Sequence, residues 1–174
     1  PCHAQTGQRT DYEAATPVIG KRLPGVARVH GVWHSKRTGA YAVMRERVRT
    51  TWGHYAQERK ITRTAVKEGL DAVEAFGRSF ITSCQAGKSY RPPGQAMAQL
   101  RSGGMLPIVD GLRALAAKGV CVGADLLPQN IGWRRGADRR PEPVMLDMGF
   151  SWPAARYRGA VPQPTLAGTR KRRR

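Results

Sequence analysis

Apolar and polar positions alternate from Val26 to Trp33 (VARVHGVW) and again from Ala40 to Val48 (AYAVMRERV), with a turn over 36–39 between them. Period-two alternation on both sides of a glycine-bearing turn predicts an antiparallel hairpin over 26–48. Ahead of it, residues 11–22 read as a short helix with Asp11 near its N-cap, interrupted or started afresh at Pro17. The period then changes. Ile61, Ala65, Leu70, Val73, Phe76, Phe80 and Ile81 fall near helical spacing, so 55–86 predicts mostly helix, stopped by the breaker GKSYRPPG at 87–94. Residues 105–118 predict a second, more apolar helix, with Gly119 as its C′ residue. Short strands follow at 120–122, 131–133 and 144–146, separated by the loop GADLLPQN and a basic turn. The polar residues 1–10 predict a flexible end, and the Pro-, Gly- and Arg-rich segment 153–174 predicts an extended, mobile tail. The fold class expected is α+β.

Composition adds limits. The 174 residues fit one domain, and 40% hydrophobic with 24% charged residues is globular rather than disordered. No stretch nears the roughly 20 apolar residues of a membrane helix, and no charged-then-apolar leader opens the chain. A soluble cytoplasmic protein without a membrane partner is expected. Cys2, Cys84 and Cys121 are odd in number and far apart, and neither they nor His3, His30, His34 and His54 show metal-ligand spacing. Reduced thiols are expected. The net charge of +18 favours polyanionic partners, nucleic acid or an acidic protein, through the Arg134-Arg135 and Arg139-Arg140 pairs and the run 170–174. A solvated basic surface explains the same residues equally well.

Candidate chemistry lies in GADLLPQNIGW (123–133) and VMLDMGFS (144–151). The first sets a carboxylate, Asp125, and a carboxamide, Asn130, in one loop. The second puts Asp147 at the end of an apolar strand. Phosphoryl transfer asks little covalent chemistry of a protein; it needs a metal held against phosphates and a group that orients the attacking hydroxyl. Mg²⁺ prefers oxygen ligands, which an Asp, an Asn amide and phosphates supply.

These motifs resemble the protein-kinase superfamily, in which a loop H-R-D-L-x-x-x-N precedes a strand ending in D-F-G. Asp125-Leu126 and Asn130 match D-L-x-x-x-N, and Asp147-Met148-Gly149 matches D-F-G. The wording is closer to small-molecule, bacterial and phage-type kinase-like proteins. The resemblance implies a reduced kinase-like fold over 11–152: a partial N-lobe and hinge at 11–48, then a mainly helical C-lobe. It implies ATP and Mg²⁺ as cofactors and a protein or small-molecule hydroxyl as acceptor. Asp125 would act as base, Asn130 and Asp147 as metal ligands, and Met44, Glu46 and Val48 would meet the nucleotide base. Glu13 is the candidate for the helix glutamate. Gly123-Ala124 replace His-Arg and Met148 replaces Phe, while no GxGxxG and no partner lysine for Glu13 are evident. The residues ahead of Leu23 are too few for both, so a fragment or a reduced, degenerate core is expected. A non-catalytic basic binding protein on the same scaffold is the alternative.

One motif is a decoy. The stretch 82–89 (TSCQAGKS) differs from a phosphate-binding G-x-x-x-x-G-K-[ST] loop in having Thr82 at the first glycine. Helical spacing precedes it and Pro92-Pro93 follow where a helix should start, so the loop is rejected.

Overall fold

The structure is a computed structural model. It describes residues 2–7, 9–123, 125–136, 138–148 and 152–153, of which 2–7, 9–10 and 152–153 are described in backbone only.

Thr62 starts the longest element: its side chain accepts the N–H of Ala65 at 3.0 Å, capping helix α3, Arg63–Gln85. Val66, Leu70, Val73, Phe76, Phe80 and Cys84 line its buried face, while Lys67–Asp71 and Glu74–Arg78 pair along the outer face. The single helix expected over 55–86 is in fact two. Helix α2, Trp52–Arg59, ends at Lys60, whose left-handed φ of 57° reverses the chain before α3. Helix α4, Gly94–Ser102, was not predicted; it buries only Leu100, so its sequence has little apolar periodicity. It packs where Gly69 of α3 meets Gly103, a contact too close for a Cβ on either residue. Helix α5, Leu106–Ala116, carries Pro107 in its first turn and buries Ile108, Val109, Leu112 and Leu115, and Gly119 follows it at φ 83°.

The predicted hairpin forms from strands β2, Val29–His34, and β3, Tyr41–Glu46, with a bulge between Val29 and Gly31. The first residues depart from expectation. Cys2–Gly7 form strand β1, which pairs antiparallel with β3 and makes it the centre of a sheet ordered β1-β3-β2. A short helix α1, Arg9–Ala15, and a 3₁₀ turn, Thr16–Val18, connect β1 to β2. Further on, β5, Ile131–Arg135, and β6, Pro141–Met145, make a second hairpin. The two-residue strands β4, Val120–Cys121, and β7, Trp152–Pro153, pair with each other. The tail from 154 onward lies outside the described residues. The fold is α+β, with five α-helices and small antiparallel sheets among the described residues. No helix among them is long and apolar enough to cross a membrane.

Two seams join the first sheet to the second hairpin. Met145 donates its N–H to Gly25 and accepts that of Ala27, at 2.8 and 3.0 Å. Arg49 and Trp133 exchange both backbone bonds, at 2.9 and 2.8 Å. The second seam requires Gly132, since a Cβ there would stand 2.4 Å from Val48 Cγ2.

The expectation of three reduced thiols fails for two of them: Cys84 at the end of α3 and Cys121 in β4 form a disulfide, with Cα atoms 6.1 Å apart. They lie 37 residues apart in sequence, so only the tertiary fold makes them neighbours.

Tyr55 of α2 is fully buried and donates its hydroxyl to the Gly104 carbonyl at 3.1 Å. Burial pushes its pKa from 10.0 to about 12, against the opposing charge of Arg59. The folded state thus holds this proton more tightly than the unfolded chain. The stabilisation is complete below pH 10 and is lost as pH rises towards 12. Tyr55→Phe should flatten the alkaline decline of denaturant-measured stability in that window, and cost about 1 kcal/mol at pH 8 for the lost hydrogen bond.

Candidate functional site

The loop after β4 is set by close backbone packing. Gly123 has φ 130° and lies against Gly77 of α3, where an added Cβ would stand 2.3 Å from the Gly123 carbonyl and 2.7 Å from Leu126 Cδ1. The loop is therefore seated directly on the helix, and Leu126 is buried beneath it. Asp125 and Asn130 remain half-buried at its surface.

Asn130 links the two candidate segments. Its Nδ2 donates to the Asp125 carboxylate at 2.9 Å and to the Asp125 carbonyl at 3.0 Å. Its own carbonyl accepts the N–H of Leu146 at 2.8 Å, which brings the end of β6 to the loop. Asp147 follows, half-buried. Because the amide nitrogen serves Asp125, the amide oxygen of Asn130 is the atom left for a cation. Gly149 and Ala124 lie outside the described residues.

Beyond Asp147, the Met148 N–H donates to Asp11 Oδ1 at 3.2 Å. Asp11 sits on α1, and its carboxylate also forms an ion pair with Arg45 of β3. These are the two charged residues buried among the described ones, each 4% exposed. Burial pushes the Asp11 carboxyl above its ordinary value; Arg45 opposes this, the negative charge of Asp147 adds to it, and the Met148 N–H opposes it. The influence of Asp147 on Asp11 brings the strand end and α1 into one electrostatic neighbourhood.

A cleft of about 370 Å³ opens beside this cluster, lined by Val43, Arg45, Glu46, Arg47, Val48, Thr50 and Leu146. Its size suits a small-molecule site, which runs from about 300 to 1,000 Å³. Two of the three residues expected at the nucleotide base, Glu46 and Val48, line it. Met44 does not: alternation along β3 turns it to the opposite face, 40% exposed, while Val43 and Arg45 face inward. Glu46 lines the cleft without offering its main-chain donor, because its N–H bonds to the Arg28 carbonyl at 2.9 Å. Its carboxylate holds the Arg28 N–H at 2.8 Å and the Arg134 guanidinium. The strand ends there, so Arg47 and Val48 leave the ladder.

Glu13, the expected helix acid, is exposed on α1; the acid that α1 buries is Asp11. Sequence reasoning missed the Asp11–Arg45 pair. The available signal was an arginine at an inward position of an alternating strand. The decoy at 82–89 is no phosphate loop, since Thr82 to Gln85 form the last turn of α3. Among the described residues no group of three or more His, Cys, Asp or Glu side chains could hold a metal ion. A site there would depend on one carboxylate, an amide oxygen and ligands brought by substrate, a set that suits Mg²⁺.

Compared with known protein families, curated proteins and solved structures, the chain gives no match.

Gly77→Ala tests the seating of the loop. Alanine favours a helix interior over glycine, yet here its methyl meets backbone, so overpacking prevails. The variant should lose about 1–3 kcal/mol of stability in denaturant. Amide exchange should quicken at 125–131, and unchanged exchange there would separate loop from helix.

Proposed function

We propose that the chain is the catalytic portion of a kinase-like phosphotransferase, one that binds a nucleoside triphosphate with Mg²⁺ and phosphorylates a hydroxyl on a protein or small molecule. One observation carries this reading: Asn130 binds Asp125 through its side chain and Leu146 through its carbonyl, beside a cleft that Leu146 itself lines. The order of parts agrees with it, since a sheet and cleft strand precede a loop with D-L-x-x-x-N, a hairpin and a strand-end Asp.

In this reading the base of the nucleotide enters the cleft against Val43, Val48 and Leu146, with polar contacts from the chain at 47–48 rather than from Glu46. Asp147 and the amide oxygen of Asn130 hold the cation. Bound Mg²⁺ would neutralise charge on the phosphates. Asn130 occupies one carboxylate oxygen of Asp125 and fixes its rotamer, so the other can accept the acceptor's hydroxyl proton as the phosphoryl group leaves the nucleotide. Positioning supplies the rest of the rate.

Calorimetry tests the assignment. Wild type should bind Mg-ATP, and Asp147→Ala should weaken binding about 10- to 100-fold, the worth of one charged contact. Chelating the magnesium should weaken wild type and leave Asp147→Ala little changed. Equal affinities in the two proteins would refute the site.

The charge of +18 and the grouping of Arg59, Lys60 and Arg140 around a second hollow favour a further, separable reading: binding of a polyanion such as nucleic acid. RNA or DNA affinity should then fall steeply with salt, with a shallower slope after deletion of 170–174. Affinity insensitive to salt would dismiss it.

A further inference from the structure

A second groove, which the proposed chemistry does not use, runs between α2 and α3 and reaches the loop after β4. It encloses about 460 Å³, with Val66 and Leu70 of α3 as its buried lining and Trp52 and Pro128 as its more open sides. Val66 and Leu70 are 2% and 6% exposed, and Trp52 packs edge-on against Tyr55, with ring centroids 5.2 Å apart. A hollow of this size with apolar, packed sides favours a large apolar group, whose surface it removes from water.

The charged residues at the groove are Arg63, Lys67 and Asp71, all exposed on α3. Lys67 and Asp71 pair with each other at 2.8 Å. Arg63 makes no hydrogen bond or ion pair among the described residues. Its guanidinium lies against Gly53 of α2, where an added Cβ would stand 3.6 Å from Nη2 and 3.9 Å from Cζ and Nε. The glycine leaves room for the arginine head beside the groove and offers it no carboxylate. Two cations against one acid give the groove a cationic surplus.

That surplus selects the occupant. A second copy of this chain would bring another +18, and the chain's own run 170–174 holds only cations, so neither answers Arg63. A phosphate backbone would answer the arginine but bring no aliphatic group to Val66 and Leu70. A protein segment with a large apolar residue flanked by Asp or Glu answers both.

We infer that the α2–α3 groove docks such an acidic segment of a partner protein, its apolar side chain entering beside Val66, Leu70 and Trp52 and its carboxylate meeting Arg63. The inference is independent of the phosphotransferase reading. Because Pro128 lies in the loop that carries Asp125 and Asn130, a docked partner is seated next to the candidate site.

Capped peptides DDLFDD and DDSSDD, equal in charge, are titrated by calorimetry into the full chain in about 0.3 M salt, which weakens attraction to exposed charge elsewhere. The variants are Gly53→Phe, which puts a ring into the groove, and Arg63→Gln. At Gly53 a Cβ meets no atom closer than 3.6 Å, and phenylalanine favours a helix over glycine, so α2 should be kept. Wild type should bind the Leu-Phe peptide and not the Ser-Ser one. Gly53→Phe should weaken that binding about 10- to 100-fold, the worth of one buried apolar side chain. Arg63→Gln should weaken it about two- to fivefold, as for an exposed ion pair. Binding that is absent, equal for the two peptides, or unaltered by either variant overturns the inference. So does a concentration-dependent dimer that Gly53→Phe disperses, which assigns the groove to a second copy. Should Gly53→Phe not fold, methyl spectra of wild type decide. The Val66 and Leu70 signals should move when the Leu-Phe peptide is added, and signals that stay in place overturn the inference.

Discussion

A carboxylate and a guanidinium, both withdrawn from water, hold α1, β3 and the end of β6 in register. Asp11 and Arg45 come from a short helix and from the middle strand of the first sheet, and Asp11 also takes the N–H of Met148. Three segments far apart in sequence thus meet at one carboxylate. Such a pair gives little net stability, because desolvation offsets most of the attraction, but losing one partner leaves a buried charge that costs about 3–5 kcal/mol. The arrangement therefore specifies geometry more than it stabilises. It dictates where the residue after Asp147 must lie, and with it Asp147.

The opposite side of the site is fixed by backbone contact. Gly77 lets the 123–130 loop rest on α3 itself, and the Cys84–Cys121 disulfide joins the end of that helix to the strand leading into the loop. The loop is then tied to β6 through Asn130 and Leu146. One shell of helix packing and one shell of polar bonds converge on the same few residues. That combination of a rigid base and half-exposed oxygen donors is what a site for a hard cation and phosphate needs.

Much of the fold could be read from periodicity. The first hairpin, the apolar helix ending before Gly119 and the second hairpin all follow from patterns of two and 3.6. What could not be read depended on contacts between distant residues. Lys60 adopts a left-handed conformation that carries no sequence mark at a lysine, so two helices looked like one. Helix α4 is polar and held by a glycine contact, and β1 owes its conformation to pairing with β3. That Asp125 and Asn130 meet in one loop could be read from their spacing. The Asp11–Arg45 pair was not read: alternation along β3 marks the arginine as inward, but its partner lies 34 residues away in sequence. Met44 was assigned to the cleft by its place along the strand rather than by its side, and alternation puts it on the other face.

The proposal stands on Asn130 and Asp147 holding one cation beside Asp125, and Mn²⁺ reports this most directly by broadening nearby nuclear resonances. With Mn²⁺ and ATP bound, the side-chain amide of Asn130 and the backbone amides of 125–131 and 146–148 should broaden first. Broadening that spares these residues and appears instead around Glu58, Asp71 and Glu74 would contradict it.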